Sequence, residues 1–82
     1  MKENNFSKNL PKLRKALGLT QEKFAKYIGV KRCRLGAWEE GRSLPYTDLF
    51  FKIADFFSVN ERELLYKELT EDDIKSIVKK IG

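Results

Sequence analysis

The 82-residue chain has no histidine and one cysteine, Cys33. Without histidine the usual hydrolytic constellations cannot be assembled. A lone cysteine forms no internal disulfide framework, and without histidine it makes no zinc site. No residue pair offers a nucleophile with a base, so no enzyme activity is expected. Strand-like alternation, internal repeats and low-complexity segments are absent. No apolar run approaches the roughly 20 residues of a membrane span. The polar stretch from Met1 to Asn9 lacks the apolar core of a signal peptide, which predicts cytoplasmic residence. The length leaves room for one small domain, in which a single core buries only about 60% of the chain's surface. A catalytic cleft between domains is thereby excluded.

What is present suits a soluble, helix-rich globule: 41% of residues are hydrophobic and 35% charged. The formal net charge is +5, which points to a polyanionic partner. The charge is uneven. Residues 1–42 hold 11 Lys/Arg and 4 Asp/Glu, a net of +7, and residues 43–82 hold 6 and 8, a net of −2. A solvated surface with chance asymmetry is the alternative.

Apolar residues recur at helical spacing. Phe6, Leu10, Leu13 and Leu17 mark a first helix over about Asn5 to Leu17, and Pro11 inside this run moves its expected start to about Asn9 or Leu10, with the proline in the first turn. Gly18 stops it. Thr20 caps a second helix over Gln21–Ile28, with Phe24, Ala25 and Ile28 inward, and Gly29 ends it. A third runs from about Arg32 to Glu40, with Leu35 and Trp38 inward. After the loop at Arg42–Pro45, a fourth covers about Thr47 to Phe57, with Phe50, Ile53, Ala54 and Phe57 inward. Asn60 and Glu63 form a capping-box variant for a short fifth helix carrying Leu64 and Leu65. Thr70 and Asp73 repeat that logic for a sixth, where Ile74, Ile77, Val78 and Ile81 make an i, i+3, i+4, i+7 stripe. Glu71-Asp72-Asp73 opens this helix and Lys79-Lys80 closes it, as the macrodipole favours.

The informative stretch is Gln21 to Gly41. Ala25 is small where two helices must approach closely. Gly29 takes a positive φ without a Cβ penalty. Val30, Leu35 and Trp38 then hold the third helix across the second. One helix braces and the other projects into a major groove: a helix-turn-helix.

Residues 10–65 resemble the Cro/lambda-repressor type of helix-turn-helix domain, also called the XRE family. The resemblance lies in Leu-Arg-Lys-Ala-Leu-Gly-Leu-Thr-Gln at 13–21, Ala25, Gly29-Val30, Trp38-Glu39-Glu40-Gly41-Arg42, Ile53-Ala54-Asp55 and Val59. It implies an all-α, compact five-helix domain, here with an added short C-terminal amphipathic helix. The expected organisation is a polar arm over 1–9, the DNA-binding domain over 10–66 and a docking or dimerising helix over 67–82. The implied function is a sequence-specific transcription regulator, chiefly a repressor, binding a pseudo-palindromic operator on double-stranded DNA as a homodimer. The alternative is an antitoxin or restriction-modification controller of the same fold that also binds a protein partner. No cofactor and no metal are implied.

By the same resemblance Gln21 bonds a backbone phosphate and steadies the reading helix. Arg32 points into the groove, where a guanidinium bonds guanine bidentately; a phosphate contact is its alternative. Cys33 is the next base-facing position, able to touch a thymine methyl; a tolerated small residue and a thiol made reactive by Lys31, Arg32 and Arg34 are its alternatives. Gly36 would let the backbone approach DNA, or simply relieve crowding, and Ala37 offers a methyl group. Lys31, Arg34 and Arg42 are phosphate candidates. Lys31 departs from the usual small capping residue, and Glu40 stands where the family often has asparagine, so a phosphate contact is not expected there. Arg14 and Glu39 correspond to a partly buried ion pair.

The fourth helix has more apolar residues than its core face needs, namely Leu49, Phe51 and Phe56. Leu44 and Pro45 lie in the loop that relatives use at the dimer seam. These five, with Ile74, Ile77, Val78 and Ile81 of the sixth helix, are the dimer candidates. Docking of the sixth helix onto the monomer's own core is the alternative.

Overall fold

The computed structural model describes residues 4–81, which fold into six α-helices and no strand. They are α1 (Phe6–Ala16), α2 (Gln21–Ile28), α3 (Arg32–Glu39), α4 (Thr47–Phe57), α5 (Glu61–Tyr66) and α6 (Glu71–Ile81). The all-α architecture, five helices plus a C-terminal one, matches the expectation.

The first helix differs. It starts at Phe6, with Pro11 inside it, not near Asn9. Proline removes one helical hydrogen bond and crowds the carbonyl four residues back. Contacts from the far end of the chain offset this cost. Phe6 is fully buried, and so is Asn9. The Asn9 amide donates to the carbonyls of Leu64 at 2.9 Å and Lys67 at 2.7 Å, and its oxygen accepts from the Leu69 N–H at 3.0 Å. Every hydrogen bond but one available to that amide is made. The Asn5 N–H donates to the Leu65 carbonyl at 2.7 Å. The expected polar arm over 1–9 is therefore the first turns of α1 from Phe6 onward; residues 1–3 lie outside the described residues, as does Gly82.

One apolar cluster runs through all six helices. Phe6, Leu10 and Leu13 of α1, Phe24 of α2, Leu35 and Trp38 of α3, Ile53 and Phe57 of α4 and Leu64 of α5 form its centre. Phe24 packs edge-on against Phe56 with ring centroids 5.4 Å apart. The turn ending α4 takes a left-handed residue, Ser58, and the Lys52 ammonium donates to the Ile28 carbonyl at 3.3 Å, closing the end of α2 from α4.

The last helix docks on its own core. Ile74 and Ile77 are buried, and Val78 and Ile81 pack against the same cluster. Leu69, in the turn before it, is also buried. Of the expected docking or dimerising segment, α6 thus packs onto the domain's own core, against α1 and α4. The Thr70–Asp73 capping box is complete: the Asp73 carboxylate accepts from the Thr70 N–H at 3.0 Å, and the Thr70 hydroxyl accepts from the Asp73 N–H at 3.2 Å. Hydrogen bonding of the carboxylate by the Thr70 N–H and the Thr70 hydroxyl, with Lys67 3.5 Å away, holds the Asp73 carboxyl below the usual carboxylate range. At α5 only half the expected box forms, with Asn60 accepting from the Arg62 and Glu63 N–H groups.

Candidate nucleic-acid interface

Two short helices and the turn between them build the surface. The Thr20 hydroxyl accepts from the Lys23 N–H at 3.1 Å and starts α2. Gly29, at φ +79°, ends it, with the Gly29 and Val30 N–H groups both bonded to the Ala25 carbonyl. A side chain at that φ would be strained. Ala25, Leu35 and Trp38 are buried between α2, α3 and the core. The opposite side of α3 is the one left to face out.

Arg32, Cys33 and Arg34 are exposed, and Ala37 is half-buried. Gly36 is buried as backbone, yet a Cβ placed on it would meet nothing within 4 Å. Relief of crowding is therefore not why glycine stands there. The centre of this face carries only the short residues Cys33, Gly36 and Ala37, and the arginines Arg32 and Arg34 flank it.

A chain of polar contacts links this face to the interior. The Arg14 guanidinium donates to Glu39 twice, Nε to Oε2 at 2.7 Å and Nη2 to Oε1 at 3.0 Å. Its Nη1 donates to the Leu19 carbonyl at 2.8 Å. Both side chains are nearly buried, at 8% and 7% exposure, and among the described residues no buried side-chain polar atom lacks a partner. Glu39 Oε1 also accepts from Gln21 Nε2 at 2.9 Å, and Gln21 Oε1 accepts from Arg32 Nη1 at 3.1 Å. Gln21 thus joins the ion pair to Arg32, a link that sequence reasoning missed: each residue was singled out, but no local pattern pairs positions 21 and 32.

The phosphate candidates differ in state. Lys31 is exposed and gives α3 no side-chain cap. Arg42 donates to Glu40 at 2.6 Å, both well exposed, so its charge is partly neutralised. Arg34 lies over the Tyr46 ring, 5.5 Å from its centroid. Tyr46, the residue before α4, was also missed. It lies 12 positions beyond Arg34, too far for any helical periodicity to connect them.

The dimer candidates also separate. Ile74 and Ile77 are buried in the core, so neither is available to a second copy in this fold. Leu49, Phe56, Val78 and Ile81 are half-buried against the same core. What stays open is Leu44, 52% exposed, and Phe51, 46% exposed. Leu44 lines a shallow groove of about 180 Å³ together with Pro45, Thr47, Phe50 and Leu65. No described helix is long and apolar enough to cross a membrane.

Residues 12–64 match the family described as helix-turn-helix. Over 80 residues the chain is 38% identical to the HTH-type transcriptional activator BcrR of Enterococcus faecalis, covering 93% of this chain and 39% of that protein. Over 67 residues it is 43% identical to the uncharacterized HTH-type transcriptional regulator MJ0272 of Methanocaldococcus jannaschii, covering 80% of this chain and 97% of that protein. The chain thus spans well under half of the activator's length and nearly all of the archaeal regulator's. No solved structure matches it.

Proposed function

This chain belongs to the helix-turn-helix family of DNA-binding transcription regulators, and from that premise we propose that it is a repressor that binds a pseudo-palindromic operator as a homodimer. What carries the reading is the outward face of α3, where short residues are flanked by arginines on a helix braced across α2. Arg32 reads guanine, Cys33 and Ala37 meet thymine methyl groups, and Gly36 lets the backbone come close. Lys31, Arg34, Arg42 and the Gln21 amide contact phosphates on either side, which makes binding steeply salt-dependent.

The dimer forms through Leu44 and Phe51, the dimer candidates that the monomer leaves exposed, with the half-buried Pro45 beside Leu44. A protomer 30 Å in its longest extent is a suitable size to set two α3 helices about 34 Å apart, one turn of DNA. Repression follows by occlusion, since a bound dimer blocks polymerase with no further surface. Activation, the role in the name of BcrR, requires in addition a patch that touches polymerase. The Arg14–Glu39 pair has a structural role, fixing α3 against α1.

Selection from randomised duplex DNA, at two salt concentrations, tests this for the wild type and for Arg32→Ala. A symmetric enriched site is expected, with preference lost at one base pair per half-site in the variant. Weak, salt-sensitive binding without enrichment would overturn sequence-specific reading.

A further inference from the structure

Three cations near the reading surface are held in three ways. Arg32 is hydrogen-bonded to the neutral Gln21. Arg42 is bonded to Glu40 and gives up much of its field to that carboxylate. Arg34 takes part in none of the ion pairs among the described residues; its guanidinium lies 5.5 Å from the centroid of the Tyr46 ring. A ring face attracts a cation through its quadrupole and leaves the charge in place. Arginine stays charged throughout, so Arg34 is both restrained and un-neutralised. Tyr46 has no evident structural reason to be there. It is 73% exposed, and as the residue capping α4 it supplies no side-chain cap bond.

We propose that Tyr46 is a positioning residue for Arg34: its ring holds the guanidinium at the edge of α3, oriented toward a DNA backbone phosphate beside the bases that α3 reads. The proposal rests on the DNA-binding reading above. A long flexible side chain loses rotamer freedom when it is fixed on a ligand. The stack takes part of that loss before DNA arrives, and it uses no carboxylate that would repel the phosphate. In this way α3 is flanked by two arginines that neighbouring helices hold without discharging them, one by the first residue of α2 and one by the residue that opens α4.

The test combines DNA titrations of Tyr46→Leu, Tyr46→Phe, Arg34→Gln and the Arg34→Gln/Tyr46→Leu double variant, at two salt concentrations, with side-chain NMR of Arg34 in the free protein. Tyr46→Leu is expected to weaken binding about two- to five-fold for each copy bound, the span of an exposed cation–ring contact. Tyr46→Phe, which keeps the ring, restores that loss. In the Arg34→Gln background Tyr46→Leu adds nothing, since its effect passes through Arg34. The ring-current shift of the Arg34 δ-protons disappears in Tyr46→Leu and persists in Tyr46→Phe. Additive losses in the double variant, or a loss in Tyr46→Phe equal to that in Tyr46→Leu, would overturn the proposal by assigning Tyr46 its own DNA contact. Unchanged binding by Tyr46→Leu, with wild type binding well, would overturn it while leaving the DNA-binding reading intact. Failure of the wild type to bind any duplex would overturn both, whatever the NMR signal.

Discussion

Arg32 Nη1 donates to Gln21 Oε1 at 3.1 Å, so the first residue of α3 is held by the first residue of α2. Gln21 is held in turn by Glu39, and Glu39 by Arg14. Removing the middle of this relay frees Arg32 without touching the core. Gln21→Ala is expected to melt within a few degrees of wild type and to bind the selected operator about tenfold more weakly, from one charge-assisted hydrogen bond. Anisotropy titrations of the operator, and of a duplex changed at the base pair read by Arg32, should show the discrimination between them shrinking.

Gly36 separates stability from function. Its Cβ position is open in the free protein, and alanine is favoured over glycine in a helix interior by about 1 kcal/mol. Gly36→Ala should therefore raise the melting temperature and lower operator affinity. A stabilised variant that bound DNA as well as wild type would show that the backbone does not approach the duplex there.

The buried ion pair should behave as a unit. Arg14→Met leaves the Glu39 carboxylate nearly buried without its main partner, a loss of about 3–5 kcal/mol. Arg14→Met/Glu39→Leu removes both charges and should recover most of it, measured by urea unfolding. The double variant also releases Gln21, so its operator affinity should stay low when its stability returns.

Asp73 gives the fold an acid-sensitive element. Its pKa is lowered in the folded state by hydrogen bonds from the Thr70 backbone and hydroxyl first and by Lys67 second. A carboxyl with a depressed folded pKa stabilises the protein above its unfolded value, near pH 4, and that contribution fades as pH falls through the folded value. Asp73→Asn, which can still accept from the Thr70 N–H, should flatten the decline of the melting temperature below about pH 4. An unchanged acid limb would assign that decline to other carboxylates.

Self-association and folding should respond to different residues. Ile77→Ala opens a cavity in the core and should cost about 2–4 kcal/mol. Phe51→Asp places charge on the open apolar surface and should leave the fold intact while shifting sedimentation to the monomer. A dimer that survived Phe51→Asp would move the interface away from α4.

Much of the fold is legible in local patterns. The apolar spacing in α2, α3 and α4 names the buried residues Phe24, Ala25, Ile28, Leu35, Trp38, Ile53, Ala54 and Phe57. Thr20, Gly29, Asn60 and Thr70 act as their residue types predict at helix ends. At α1 the apolar spacing from Phe6 marks the observed start, but Pro11 reads locally as a first-turn proline and moves the expected start to Asn9 or Leu10. Its place inside the helix depends on Asn9 bonding to backbone groups 55 to 60 positions away.

The sequence by itself determined which segments are helical, which faces are apolar and where the turn between α2 and α3 falls. These depend on periodicity, capping chemistry and the φ that glycine tolerates, all set within a few residues. Tertiary structure alone decided what covers the stripe of α6, which apolar residues of α4 stay open, and which partner holds each arginine around α3. Those outcomes come from groups far apart in the chain meeting in space, and a stripe or a charge read in sequence does not name what it will meet.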